Sequence, residues 1–233
     1  MRQRYKNCES ILNFVDFYSS GDTFFLVFDK MAGGDLAYVF ESTPYLSESQ
    51  ASRVTGAVSR ALLTLHSDGV AHRDLKPENI LCHSPREINP VVLCDFGLAS
   101  DPPSRRDPSD WDITQNSTLS VEFCGTYLGV LLFEMLFDRL PFNGDCGRHG
   151  QSKDPNCRNC HKNVLPKVCK GNYVIPNTRK SVSDSDTAVD LIRRLLVVDP
   201  QTRYSAADVL KHPFVTAHRN DDVTRTDCVT TLP

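Results

Sequence analysis

Two short polar stretches constrain this chain more than anything else in it: "HRDLKPEN" at 72–79 and "DFG" at 95–97. Between them, apolar residues 80–82 and 91–94 stand on either side of a proline-containing turn, which predicts a small β-hairpin presenting Asp95 at its end. The two stretches then flank one hairpin. An Asp in a turn reads on its own as a solvated cap, and an Asn after Pro-Glu as turn chemistry. The conjunction of Asp74, Asn79 and Asp95 is not explained in that way.

The flanking segments are equally patterned. Residues 11–28 hold two β-branched and aromatic runs split by Ser-Ser-Gly-Asp, which predicts a second β-hairpin. Ser47 and Gln50 form a capping box ahead of Ala51, Val54, Ala57, Val58, Ala61, Leu62 and Leu65, predicting a buried helix stopped by Gly69. Further helices are expected over 128–137, over about 185–197 behind a capping box at Ser183 and Asp186, and after Ser205, ending at His212-Pro213. Residues 100–120, rich in Pro, Ser and Asp without a period, are expected to be a mobile loop. An irregular insert is expected at 143–163 and a disordered polar tail at 216–233.

Composition limits the alternatives. A chain of 233 residues, 40% of them hydrophobic, suits one compact domain. The net charge of -3, with Lys and Arg scattered, gives no electrostatic footprint for nucleic acid or anionic lipid. The longest apolar run, 128–137, is too short to cross a bilayer and contains Glu134; no secretory signal opens the chain. These features predict a soluble intracellular protein, in which nine irregularly spaced cysteines read as thiols and a metal site rather than disulfides.

The spacing of Asp74, Asn79 and Asp95 resembles the H-R-D-L-x-x-x-N and D-F-G signatures of protein kinases. That resemblance implies an α+β, protein-kinase-like fold: a mostly helical C-lobe over 31–215 and an N-lobe remnant with the hinge strand over 1–30. It also implies ATP-dependent phosphoryl transfer to protein Ser or Thr. Asp74 would orient the attacking hydroxyl, Lys76 would place a charge at the transferring phosphate, and Asn79 and Asp95 would supply oxygen ligands to Mg²⁺. By the same resemblance Phe28 is the gatekeeper, Met31 offers backbone bonds to adenine, Leu81 lies under it and Asp35 is near the ribose.

"KPENILCHSPREINPVVLCDF" and the insert at 143–163 are most similar to the MAP-kinase-interacting kinases. This implies a zinc ion on Cys146, Cys157 and Cys160, with His149 or His161 as fourth ligand. It further implies an upstream MAP kinase acting at Ser117, Thr118 or Ser120, a translation-initiation factor as substrate, and a cytoplasmic and nuclear location. In one respect the chain departs from those kinases: it carries Asp95-Phe96-Gly97 where they carry Asp-Phe-Asp.

Other departures bear on activity. No G-x-G-x-x-G and no V-A-I-K lysine appears, and Cys124-Gly125-Thr126 joins almost directly to Leu128-Gly129. The expectation is that about thirty family residues, including A-P-E, are missing there. Arg203, which resembles the arginine pairing with that motif's glutamate, would need another partner. Weak or absent catalysis is therefore expected, and a kinase-like scaffold stands as the alternative to an enzyme.

Overall fold

The computed structural model describes Tyr5 and residues 8–85, 87–100, 116–144, 157–176 and 186–218. Two separate two-stranded sheets and seven α-helices lie within them. Strands β1 (Phe14–Ser20) and β2 (Thr23–Phe28) form the first antiparallel hairpin, turning at Gly21, whose φ of 57° suits glycine. Strands β3 (Ile80–Ser84) and β4 (Glu87–Leu93) form the second, with Ile80 opposite Leu93. Both hairpins stand where the alternating runs predict them.

Helix α1 (Leu36–Ser42) starts at Asp35, whose carboxylate accepts from the Tyr38 amide at 2.8 Å. Helix α2 (Glu48–Ser67) is the central element, and both halves of its Ser47–Gln50 capping box are made. Its buried stripe, Val54, Ala57, Val58, Ala61, Leu62 and Leu65, recurs at helical spacing and packs on β4.

Helix α3 (Asn116–Phe137) runs unbroken through Thr126-Tyr127-Leu128, so the helix expected at 128–137 is longer by three turns. The mobile loop expected at 100–120 is corrected at its end, where the backbone is helical from Asn116; 101–115 lie outside the described residues. The chain can continue as a helix here because neither Gly nor Pro stands between Thr126 and the apolar run. Leu128, Leu131, Leu132 and Met135 bury its C-terminal half. Gly129 sits where a β-carbon would come 2.8 Å from both Leu195 and Leu196, allowing close approach to α5.

The insert expected to be irregular is helical from Arg158, while 145–156 lie outside the described residues: α4 spans Arg158–Lys170 and ends at Gly171 in the left-handed conformation. Helix α5 (Asp186–Leu195) matches the helix expected over about 185–197, while Ser183 of its capping box lies outside the described residues. Helix α6 (Ala206–Lys211) carries a complete Ser205–Asp208 capping box, and His212 caps the short α7 (Pro213–Thr216). The tail beyond 218 lies outside the described residues. Arg203 reaches two carbonyls: Nε donates to Val197 at 2.8 Å and a terminal nitrogen to Val198 at 2.9 Å. Among the described residues no helix is long and apolar enough to cross a membrane.

Candidate active site

The β3–β4 hairpin brings the two polar stretches together, as their spacing predicts. Pro77–Asn79 form one 3-10 turn leading into β3, and Asp95 follows β4 by two residues. The Cys94 amide donates to the Asn79 carbonyl at 2.9 Å, joining the two ends of the hairpin. A second clasp lies beyond: the Ser100 amide donates to the Ala71 carbonyl at 2.9 Å, and the Ser100 hydroxyl accepts from the Ala71 amide at 2.7 Å.

His72 is the third connection. It is fully buried; its Nδ1 accepts from the Asp74 amide at 3.3 Å, so Nε2 carries the proton and donates to the Cys94 carbonyl at 2.9 Å. Burial lowers its pKa, against the raising effect of the Cys94 bond and of Asp74 and Asp95. The ring is neutral at pH 7, which suits one donor and one acceptor contact. Phe96 meets it edge-on at 5.1 Å between centroids. Neither His72 nor Ser100 was assigned a role from sequence, although His72 stands inside the first motif. Only its burial distinguishes it from a surface histidine.

Asn79 donates twice from Nδ2, to the Asp74 carbonyl at 2.7 Å and to its carboxylate at 2.9 Å. Its Oδ1 is thereby the atom left for a cation. Lys76 Nζ meets the same carboxylate oxygen at 2.8 Å, and this bond, with help from Asn79, holds the Asp74 pKa below the usual carboxylate range. Asp74 is thus ionised. Its pair with Lys76 is solvent-exposed, so it orients more than it stabilises.

Asp95 adopts a φ of 58° and Arg73 one of 66°, a conformation that costs a non-glycine residue about 1 to 3 kcal/mol. The Gly97 amide donates to Asp95 Oδ1 at 3.1 Å and helps to hold that turn. Oδ2 remains available. Asn79 and Asp95 therefore fit a hard divalent cation by donor type.

The expected nucleotide-binding residues divide into two groups. Phe28 and Asp95 line one cavity of about 760 Å³ together with Phe14, Leu26, Cys94 and Phe96. Burial pushes the Cys94 thiol up to about 11, so it is an inert wall of this cavity. Met31, Asp35 and Leu81 are not in that lining; Asp35 and Leu81 instead pair as an isolated bridge beside Gly33 and Gly34. Gly33 is required there, since a β-carbon would meet the Ser84 carbonyl at 2.5 Å. The Asp35 carboxylate is engaged in capping α1.

The zinc expectation gains no support. Cys157 caps α4 and Cys160 lies in its first turn, whereas Cys146 and His149 are outside the described residues. Among the described residues no three His, Cys, Asp or Glu side chains gather to hold a metal ion.

Substantial helical content, small two-stranded sheets and a carboxylate-amide cluster clasped across a hairpin define the class of protein. The model of the protein kinase domain matches residues 1–215, and the chain belongs to that family. Within it, the chain is 34% identical over 229 residues to MAP kinase-interacting serine/threonine-protein kinase 2 of Xenopus laevis, covering 88% of this chain and 49% of that protein. It is also 34% identical over 230 residues to MAP kinase-interacting serine/threonine-protein kinase 1 of Xenopus tropicalis, covering 89% and 55% respectively. The chain thus spans about half the length of these relatives. A crystal structure of the Rad53 kinase domain and SCD2 superimposes with a TM-score of 0.69 at 26% identity, covering 90% of this chain and 71% of that one.

Proposed function

We propose that the chain is a serine/threonine protein kinase module of the MAP-kinase-interacting type, binding Mg-ATP weakly and transferring its γ-phosphate slowly to protein Ser or Thr. The observation that carries this reading is the clasp that holds Asn79 on Asp74 while Cys94 and Ser100 tie the Asp95 turn to the same loop. Such a preorganised set costs no reorganisation when charge develops on a transferring phosphate. Asn79 and Asp95 would hold magnesium, which screens phosphate charge when bound; Asp74 orients the acceptor hydroxyl and Lys76 adds positive charge beside it. The nucleotide would enter past Phe28, with Met31, Asp35 and Leu81 toward its base and sugar.

Phosphorylation by an upstream MAP kinase at Ser117, Thr118 or Ser120, a translation-initiation factor as substrate, and a cytoplasmic and nuclear setting complete this reading. The names of the relatives, MAP kinase-interacting kinases, support the MAP-kinase partner. The kinase domain would end near 215, with 1–30 as N-lobe and hinge. The apolar lining of the cavity favours a second reading, a kinase-like scaffold that competes for kinases or substrates without catalysis.

Calorimetry separates the two. Mg-ATP is expected to bind with a dissociation constant of about 0.1 to 1 mM, only in the presence of magnesium, and Asp95→Asn should abolish the magnesium dependence. Transfer of labelled phosphate to a Ser/Thr peptide library, lost in Asp74→Asn, supports the enzyme. Magnesium-independent binding, or none at about 5 mM nucleotide, roughly five to fifty times that dissociation constant, sinks it.

A further inference from the structure

Helix α4 lies well inside the chain, and its two faces differ. Its 13 residues include Arg158, Lys162, Lys167 and Lys170 and no Asp or Glu, in a chain whose net charge is -3. Val164 and Val168 are half-buried against the core, and the Lys167 ammonium donates to the Asn143 carbonyl at 2.8 Å. The opposite face exposes Arg158, Lys162 and Lys170 around Leu165, which is 67% exposed. Among the described residues none of these three cations is held in an ion pair. A run of charge on a helix is ordinarily just solvated. Here a bare leucine stands in the middle of it.

Pro166 adds a second feature. It stands inside the helix and has no N–H, so the Lys162 carbonyl lacks the donor that the residue four positions on normally supplies. Lys162 and Pro166 are both exposed, which leaves this acceptor on the cationic face. A ligand that suits the face therefore carries negative charge, an apolar group and an N–H donor, and an acidic peptide has all three. From Arg158 to Lys170 the helix rises about 18 Å, the length of about five or six extended residues. An anionic bilayer suits it less, since one leucine inserts little apolar surface and the chain as a whole is net acidic. A nucleic acid strand suits it less because α4 has no Phe, Tyr or Trp on which bases would stack.

We propose that the outer face of α4 docks an acidic, extended peptide segment of a partner protein. Carboxylates at one end of the segment meet Arg158 and Lys162, those at the other end meet Lys170, and an apolar residue between them covers Leu165. A peptide N–H donates to the Lys162 carbonyl. Docking here uses none of the phosphoryl-transfer residues, so it stands whether or not the chain transfers phosphate.

Fluorescence anisotropy of a fluorescein-labelled peptide, Glu-Glu-Ser-Leu-Ser-Glu-Glu, titrated with the full 233-residue chain tests this. A dissociation constant of about 10 to 100 µM is expected at about 50 mM salt, weakening at least about fivefold at about 300 mM. Arg158→Glu and, separately, Lys170→Glu should each weaken binding about three- to tenfold, and a peptide with serine in place of its leucine should bind about threefold more weakly. Lys211→Glu, which reverses an exposed cation at the end of α6, should leave binding unchanged. Circular dichroism checks that each variant is folded, and two variants on α4 keep the test open if one is not. No binding at about 300 µM chain overturns the proposal. So does an equal loss in Lys211→Glu, or none with the serine peptide, either of which would mean unspecific charge attraction. Tighter binding of decauridylate, or of vesicles with about 30% phosphatidylserine, also overturns it by assigning the face to another class of ligand.

Discussion

His66 near the end of α2 should make the fold sensitive to mild acid. Its Nε2 is buried without a hydrogen-bond partner, and its ring lines a small cavity of about 120 Å³ with Leu128, Arg203 and Ala206. Desolvation lowers its pKa from 6.5 to about 4. Proximity to a helix C-terminus favours the charged ring, but burial outweighs it. Between pH 6.5 and 4 the unfolded chain carries a proton on this ring that the folded chain does not. Stability is therefore complete above about pH 6.5 and falls as pH drops toward 4. At ~1.4 kcal/mol per pH unit, lowering pH to 5 costs about 2 kcal/mol, reduced to roughly 1 by the part of the ring that water reaches. Urea unfolding at pH 7.5, 6.0 and 5.0 of the wild type and His66→Gln isolates this cost. His72, also lowered by burial, shifts both proteins alike and cancels in the difference. If His66→Gln loses as much stability on acidification as the wild type, the argument fails.

Two further substitutions probe packing and the clasp. Gly129→Ala places a methyl 2.8 Å from Leu195 and Leu196, and thermal unfolding should show a loss of about 1 to 3 kcal/mol; a neutral result would mean that α3 and α5 separate freely. Ser100→Ala leaves the buried Ala71 amide without its acceptor at a cost of about 1 to 3 kcal/mol. It should also weaken magnesium-dependent nucleotide binding, measured by calorimetry, whereas an unchanged affinity would confine Ser100 to stability.

The grouping of the candidate site residues was legible in the sequence because it is local. Asp74, Lys76 and Asn79 fall within six residues, and Asp95 follows one hairpin whose alternation is plain, so short-range rules suffice to bring them together. The capping boxes at Ser47 and Ser205 were legible for the same reason: each satisfies amides three residues away. Residues 158–163 of the insert and 116–120 of the expected loop were misread as irregular, since their polar composition outweighed a helical tendency.

Other features depended on contacts between distant segments. Burial turned His72 from one motif letter into a neutral link between Asp74 and Cys94, and placed His66 in a half-buried niche against α3 and α6. Arg203 could be seen to lack its family partner, yet only the fold showed the Val197 and Val198 carbonyls that receive it. Sequence by itself determined that Asp74, Asn79 and Asp95 meet across one hairpin and that Ser47 and Ser205 start helices, because those depend on neighbours along the chain. Tertiary structure decided which groups lose water, because desolvation is set by what packs in space.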